Sequence, residues 1–150
     1  VGVVRGVEFE LGEDTLVAGP VKTQTRMGEK IKGYAAEGGK RPPLAAHILD
    51  PVRASVLCAG PAEILRCATA LLHHGPRFRL PVCRVKNKFA SPDAAETDGY
   101  RDLLVCVHYV GPGALSIIGE IQILDRRQQA FKHKMHKLYK VKRAHAPGLI

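Results

Sequence analysis

The spacing of apolar residues changes several times along the chain, and each change predicts a new element of secondary structure. Two stretches rich in β-branched residues, 3–11 and 16–21, predict strands joined by a polar turn. A helical spacing then predicts a helix over 24–36, which Thr23 can cap because its hydroxyl accepts from a free backbone amide. Glycine and proline at 38–43 predict the loop that ends this part of the chain.

The remainder of the chain predicts further strands and helices in a regular order. The predicted strands cover 52–58, 82–89, 100–110 and 117–124, and the predicted helices cover 61–73 and 125–143. From the second strand onward the order is strand, helix, strand, helix, three strands and a final helix. This order favours the α+β class, with helices packed on a mixed sheet of about five strands.

Size and composition agree with one globular domain over 1–150. The chain has 150 residues, of which 45% are hydrophobic and 25% are charged, as in ordinary soluble proteins. Its apolar stretches are much shorter than the ~20 residues that a membrane span needs. Because the sequence begins with Val and not Met, we expect it to be a piece of a longer protein.

The cysteines indicate a reducing environment. Cys58, Cys67, Cys83 and Cys106 lie far apart, without the spacing of a metal site, and all but Cys67 fall in predicted strands. Buried, reduced thiols are the expected state. This favours an intracellular location, without distinguishing the cytoplasm from an organelle.

The chain is strongly basic, with 23 Lys and Arg against 14 Asp and Glu and a net charge of +9. Such a charge favours polyanionic partners, but it is equally compatible with a solvated basic surface. Most of the excess lies in 125–145, on a predicted helix whose apolar stripe is Phe131, Met135 and Leu138. An RNA or ribonucleoprotein partner would relieve the repulsion among its cations; alternatively, packing of the stripe on the sheet would hold the helix in place.

Several short motifs, taken in order, resemble those of RelA/SpoT-type alarmone synthetase domains. They are Gly19-Pro-Val-Lys22, the strand opened by Asp50, the basic strand from Arg84 into a proline loop, Gly99-Tyr100, Gly119-Glu-Ile-Gln-Ile and the helix that contains His136 and Tyr139. Each motif alone is common, but together they span 16–143 with compatible spacings. The resemblance implies a nucleotidyltransferase-like form of the mixed sheet.

The resemblance also implies a reaction and the residues for it. Members of this family transfer a pyrophosphoryl group from ATP to the 3′-hydroxyl of a guanosine nucleotide, with Mg²⁺ on the phosphates. By resemblance, Asp50 and Glu120 would be catalytic and would hold the metal ion, and Tyr100 would stack on the acceptor guanine. The other implied nucleotide-binding residues are basic: Lys22, Lys30, Arg84, Lys86 and Lys88.

Each of these residues also has an ordinary structural explanation. Asp50 precedes a proline and could be a turn residue, Glu120 could be an exposed strand carboxylate, and Tyr100 could belong to the core. The three cations at 84–88 could form a solvated strand face. His136 and Tyr139 could only brace the sheet.

The sequence departs from the family pattern at several positions. Pro20 stands where active members carry Arg, and Arg26 stands where Ser is expected. Leu124-Asp125 replaces Arg-Thr, and the loop 91–98 is acidic, which repels phosphates. Two hypotheses follow. The chain is either an active or altered nucleotide pyrophosphokinase, or a catalytically degenerate domain that acts as a basic binding module in a larger protein or ribonucleoprotein.

Overall fold

The computed structural model describes residues 15–90 and 99–131, in which five strands form one mixed sheet. The strands are β1 Leu16–Ala18, β2 Val52–Cys58, β3 Val82–Asn87, β4 Leu103–Val110 and β5 Ser116–Asp125. Their order across the sheet is β1-β2-β5-β4-β3. β2 and β5 are parallel, and every other neighbouring pair is antiparallel. The predicted α+β class with a mixed sheet is confirmed.

The first helix, α1, covers Gln24–Glu37, as its spacing predicts. Thr23 is its N-cap, and the Thr23 hydroxyl accepts a hydrogen bond of 3.3 Å from the backbone N–H of Arg26. This bond satisfies one of the amides that the first turn of a helix leaves free. The helix has no buried residue, and the Tyr34 hydroxyl donates to the His47 carbonyl at 3.3 Å. α1 therefore lies at the periphery, held by polar contacts.

The second helix, α2, covers Pro61–His74 and packs on one face of the sheet. Its first residue is proline, which costs no hydrogen bond there because the amide at that position has no helical acceptor. Apolar residues of α2 meet alternate residues of the central strands, since alternate side chains point to one face. The buried cluster consists of Val56, Cys58, Ile64, Cys67, Ala68, Val105, Val107 and Ile123.

Some element boundaries differ from the prediction. β1 ends at Ala18 because Gly19 and Pro20 follow, and proline has no N–H for the sheet ladder. β4 begins at Leu103, three residues later than predicted. The structure adds three 3₁₀ turns, at Leu44–His47, Gly75–Phe78 and Pro112–Ala114.

The four cysteines are free, and three of them are buried as expected. The predicted burial of Cys83 is wrong: it is exposed, on β3 at the edge of the sheet.

Part of the sequence lies outside the described residues. The predicted strand at 3–11 and the acidic loop at 91–98 belong to this part. A third helix, α3, begins at Arg126, and its description ends at Phe131, before His136 and Tyr139. Within the described ranges, no helix has the length and apolar character to cross a membrane.

Candidate active site

The face of the sheet opposite α2 carries charged side chains near its centre. Glu120 of β5 pairs with Arg53 of β2 on one side and with Cys106 of β4 on the other. Cys106 pairs in turn with Arg84 of β3. Directly paired residues point to the same face, so these side chains share one surface, hereafter the polar face. Gln122 lies two residues along β5 and donates from Nε2 to Glu120 Oε1 at 2.8 Å.

Asp50 lies just before β2 and has two ammonium partners. The backbone N–H of Lys22 donates to the Pro51 carbonyl at 2.8 Å, which extends the pairing of β1 with β2 and brings the Lys22 side chain to Asp50. Lys22 Nζ lies 2.5 Å from Asp50 Oδ2, and Lys30 Nζ of α1 lies 2.8 Å from Oδ1. The Asp50 side chain is only 14% exposed. Both of its oxygens are therefore occupied by lysines.

These contacts shift the pKa values of Asp50 and Lys30 in opposite directions. Burial would raise the pKa of Asp50, but the hydrogen bonds and charges of Lys22 and Lys30 outweigh burial and leave that pKa below its ordinary value. Burial would lower the pKa of Lys30, but the hydrogen bond and charge of Asp50 outweigh it and raise that pKa. At neutral pH the Asp50 carboxylate and the Lys30 ammonium are therefore both charged.

Glu120 has the opposite environment. Burial raises the pKa of its carboxyl, and the charge of Asp50 raises it further, with a smaller contribution from Asp102. The hydrogen bond from Gln122 and the charge of Arg53 only partly oppose this shift. The charge of Asp50 therefore reaches Glu120 and disfavours its ionised form.

Tyr100, Asp102 and Lys88 form a connected group where β3 ends and β4 begins. The half-buried Tyr100 donates from its hydroxyl to Asp102 Oδ2 at 3.0 Å, and Lys88 Nζ lies 2.8 Å from Asp102 Oδ1. Lys88 Nζ also lies over the Tyr100 ring, 5.3 Å from its centre. Asp102 itself has no exposed surface. Burial raises the pKa of Tyr100, and the charges of Asp102 and Glu120 raise it further.

The structure distributes the predicted site residues among three places. Lys22 and Lys30 join Asp50 at one end, and Tyr100 and Lys88 form a group at the start of β4. Glu120 lies between the flanking strands, and β3 carries exposed Arg84 and Lys86 on the same side. Neither Arg84 nor Lys86 has an ion pair with a described residue, whereas Lys88 is already paired.

Sequence reasoning missed two residues of the site. Arg53 of β2 lies opposite Glu120 of β5 in the strand register. The Nε atom of Arg53 is buried without a hydrogen-bond partner among the described residues. A single charged residue inside the otherwise uncharged strand 52–58 was the available signal. Asp102 gave no comparable signal, because its burial depends on contacts across two strands.

Three residues that depart from the family pattern, Arg26, Leu124 and Asp125, have local roles here. Arg26 forms an exposed ion pair with Glu29 of the same helix, at 2.5 Å. Leu124 is fully buried, and Asp125 accepts a hydrogen bond of 2.8 Å from the backbone N–H of Arg127 at the start of α3. These residues therefore serve the fold.

A cavity of about 270 Å³ opens beside the start of β2. Most of its walls are apolar, from residues such as Val52, Val107 and Ile117, and Arg53 and Glu120 are the only charged residues of the described chain that line it. Phosphate groups need several donors or cations, so the polar face is the better candidate for nucleotides.

Comparison with solved structures shows that the chain has the fold of small alarmone synthetases. The small alarmone synthetase 1 from Bacillus subtilis, bound to its product pppGpp, matches with a TM-score of 0.65 and 18% identity over 83% of this chain and 62% of that chain. The same protein bound to AMPCPP gives a TM-score of 0.58 and 17% identity over 90% and 62%. A protein from Streptococcus mutans UA159 matches with a TM-score of 0.63 and 18% identity, over 90% of this chain and 63% of that chain.

The RelA/SpoT-type fold expected from the motifs is thereby confirmed. At these identities the likeness concerns the fold, and the chain spans less than two thirds of the length of each of these proteins. No family model and no curated protein matches the sequence.

Proposed function

We propose that the polar face binds ATP and a guanosine nucleotide and that the chain transfers a pyrophosphoryl group from ATP to the 3′-hydroxyl of the second nucleotide. The observation that supports this proposal is that the charge of Asp50 acts on Glu120, with cations beside each carboxylate: Lys22 and Lys30 at Asp50, and Arg53 opposite Glu120 on β2. The small alarmone synthetase 1 from Bacillus subtilis, which has the same fold, was solved bound to pppGpp and to AMPCPP, and this supports a nucleotide ligand.

Asp50 and Glu120 are the residues that would hold Mg²⁺. This ion prefers carboxylate oxygens and takes only one or two of them, completing its shell with water and substrate phosphates. Glu120 on β5 and Asp50, just before the adjacent parallel strand β2, suit that donor set, and the charge of Asp50 acts on Glu120. When bound, the ion would neutralise charge on the phosphates.

The chain's own residues would carry out the remaining steps. Lys22 and Lys30 would contact the donor phosphates, which would take the place of Asp50 as their anionic partner. Glu120 would accept the proton of the attacking 3′-hydroxyl. As the new bond from this oxygen to the β-phosphorus forms, the bond between the β-phosphorus and the oxygen that bridges it to the α-phosphorus breaks. AMP leaves with that oxygen.

The acceptor nucleotide would bind near β3 and the start of β4. Tyr100 would stack on the guanine, because a flat ring with a polar tip suits a base. Arg84 and Lys86, exposed and without a described ion-pair partner, would contact the acceptor phosphates.

The test is incubation of the chain with labelled ATP, Mg²⁺ and GDP or GTP, followed by separation of nucleotides. We expect a product that carries the transferred pyrophosphoryl group, with a rate at least about a hundredfold lower for Asp50→Asn and for Glu120→Gln. Asp125→Asn is the matched control, since it removes one carboxylate charge elsewhere on β5. If the unmodified chain forms no such product with either GDP or GTP, the transfer reaction is refuted.

The second candidate is the binding module without catalysis. It is favoured by the two lysines on Asp50, because a metal ion must displace them, and by the structural roles of Leu124 and Asp125. The RNA-binding surface predicted for the last helix falls mainly on 132–150, outside the described residues, and stays a prediction. Nucleotide binding without transfer, or RNA binding alone, would select this candidate.

A further inference from the structure

We infer that Asp102 is a positioning residue, which fixes the Tyr100 ring for the acceptor base and withdraws Lys88 from the phosphate-binding cations. This inference rests on the proposed function and adds a residue to it. Asp102 has no exposed surface, and its two oxygens face the Tyr100 hydroxyl and the Lys88 ammonium.

A buried carboxylate at this place is costly and is not needed to join the strands. Taking a charged carboxylate out of water costs several kcal/mol unless cations and hydrogen bonds compensate. The backbone already joins β3 to β4 beyond the end of β3, because the Lys88 N–H donates to the Asp102 carbonyl at 3.0 Å. A residue with a neutral side chain would accept this backbone hydrogen bond equally well. The side-chain charge therefore acts on its partners, Tyr100 and Lys88.

The effect on Tyr100 is to fix the hydroxyl end of the ring. Gly99, the residue before Tyr100, has a φ of 79°, a left-handed backbone conformation that favours glycine. The Tyr100 hydroxyl donates to Asp102 at 3.0 Å. A ring held in this way loses little freedom when a base stacks on it, and such preorganisation improves affinity.

The effect on Lys88 is to separate two kinds of subsite on one strand. Arg84, Lys86 and Lys88 are alternate residues, so their side chains leave β3 on the same side. Asp102 balances the charge of Lys88, the cation beside the aromatic ring, and leaves Arg84 and Lys86 unpaired among the described residues. The base would therefore lie beside the neutral Lys88–Asp102 pair, whereas the phosphates would lie beside the cations Arg84 and Lys86.

The binding test compares Asp102→Asn, Tyr100→Phe and the double variant by calorimetry with GDP and with AMPCPP. Asp102→Asn keeps the shape of the side chain and removes its charge. Asp125→Asn, which removes one carboxylate at the end of β5, is the control for the change in net charge. We expect a roughly tenfold loss of GDP affinity, since hydrogen bonds to charged groups are among the strong ones, and little change for AMPCPP. In the Tyr100→Phe background Asp102→Asn should lose most of its effect, because the two changes break the same bond.

Equal losses for GDP and AMPCPP, or independent effects of the two substitutions, would make Asp102 a merely structural residue and overturn the inference. Tyr100→Phe leaves the Lys88–Asp102 ion pair in place, so it still gives a result if Asp102→Asn fails to fold. A GDP affinity of Tyr100→Phe equal to that of the unmodified chain would also overturn the inference.

A ligand-free measurement separates this inference from the proposed function. Fluorine NMR of the 3-fluorotyrosine-labelled chain gives one signal per tyrosine, and the Tyr100 signal is identified by its loss in Tyr100→Phe. We expect Asp102→Asn to shift and narrow that signal as the ring becomes mobile, and Asp125→Asn to leave it unchanged. No GDP binding by the unmodified chain would refute the proposed function alone, whereas an unchanged Tyr100 signal in Asp102→Asn would refute the positioning role.

Discussion

At the scale of single residues, Asp50 and Glu120 show how one functional group acquires opposite properties from its neighbours. Asp50 is surrounded by cations, so the fold favours its charged form. Glu120 is half-buried and feels the charges of Asp50 and Asp102, so the fold disfavours its charged form. A pKa that differs between the folded and unfolded chain makes stability depend on pH. Removing the same charge from each residue should therefore have opposite consequences.

Asp50→Asn should destabilise the protein at neutral pH by about 1–3 kcal/mol, because Lys22 and Lys30 lose their anionic partner. The folded pKa of Asp50 lies below the ordinary value of 3.8. Its contribution is therefore complete above that value and is lost as the pH falls through the depressed folded pKa. Urea unfolding at pH 7 and at pH 3 measures this, and a difference between the two proteins that does not shrink at pH 3 would contradict it.

Glu120→Gln should stabilise the protein at neutral pH although it slows transfer at least about a hundredfold. The folded pKa of Glu120 lies above the ordinary 4.5, so ionisation at neutral pH opposes folding, and this cost disappears as the pH falls through the folded pKa toward 4.5. The variant should therefore melt at a higher temperature than the unmodified chain at pH 7, and at nearly the same temperature at pH 4. A lower melting temperature at pH 7 would mean that the Arg53 and Gln122 contacts dominate instead.

At the scale of elements, local rules identified the helices and strands better than their ends and connections. The spacing of apolar residues and the caps at Thr23 and Pro61 placed α1 and α2 to within a residue or so. The turn after α2 was missed because its geometry depends on a close approach between Gly75 and Leu80, whose backbone N–H donates to the Gly75 carbonyl at 2.8 Å. Sequence spacing does not reveal such contacts.

Two Gly→Ala substitutions test this distinction. A Cβ on Gly75 would lie 2.5 Å from the Leu80 carbonyl oxygen, so Gly75→Ala should cost about 1–3 kcal/mol as the turn is displaced. A Cβ on Gly28, in the middle of α1, would meet nothing within 4 Å, so Gly28→Ala should stabilise by about 0.5–1 kcal/mol. Chemical denaturation of both variants measures the two free energies of unfolding, and equal signs would contradict the assignment of the turn.

At the scale of the whole molecule, the order of elements predicted the sheet but not how charge is arranged on it. The motif resemblance indicated that Asp50 and Glu120 belong to neighbouring strands, and β2 and β5 do pair in parallel. The single number +9 could not show that Lys88 is balanced by a buried acid, or that both Asp50 oxygens are already paired. Such pairings join residues that are 14 to 28 positions apart in sequence, beyond the reach of local patterns.

Ligand-linked stability should decide which kind of partner the molecule binds. A ligand present at a hundred times its Kd stabilises the folded state by ~2.7 kcal/mol, which raises the melting temperature of a chain of this size by roughly 5–10 °C. We expect such shifts with GDP and with AMPCPP plus Mg²⁺, and we expect Glu120→Gln to reduce the Mg²⁺-dependent part while keeping most of the GDP shift. Single-stranded RNA is the contrasting ligand, because its binding should weaken steeply with salt as condensed counterions are released. A salt-sensitive shift with RNA and none with either nucleotide would exclude the nucleotide site on the polar face and leave the basic binding module as the function of the fold.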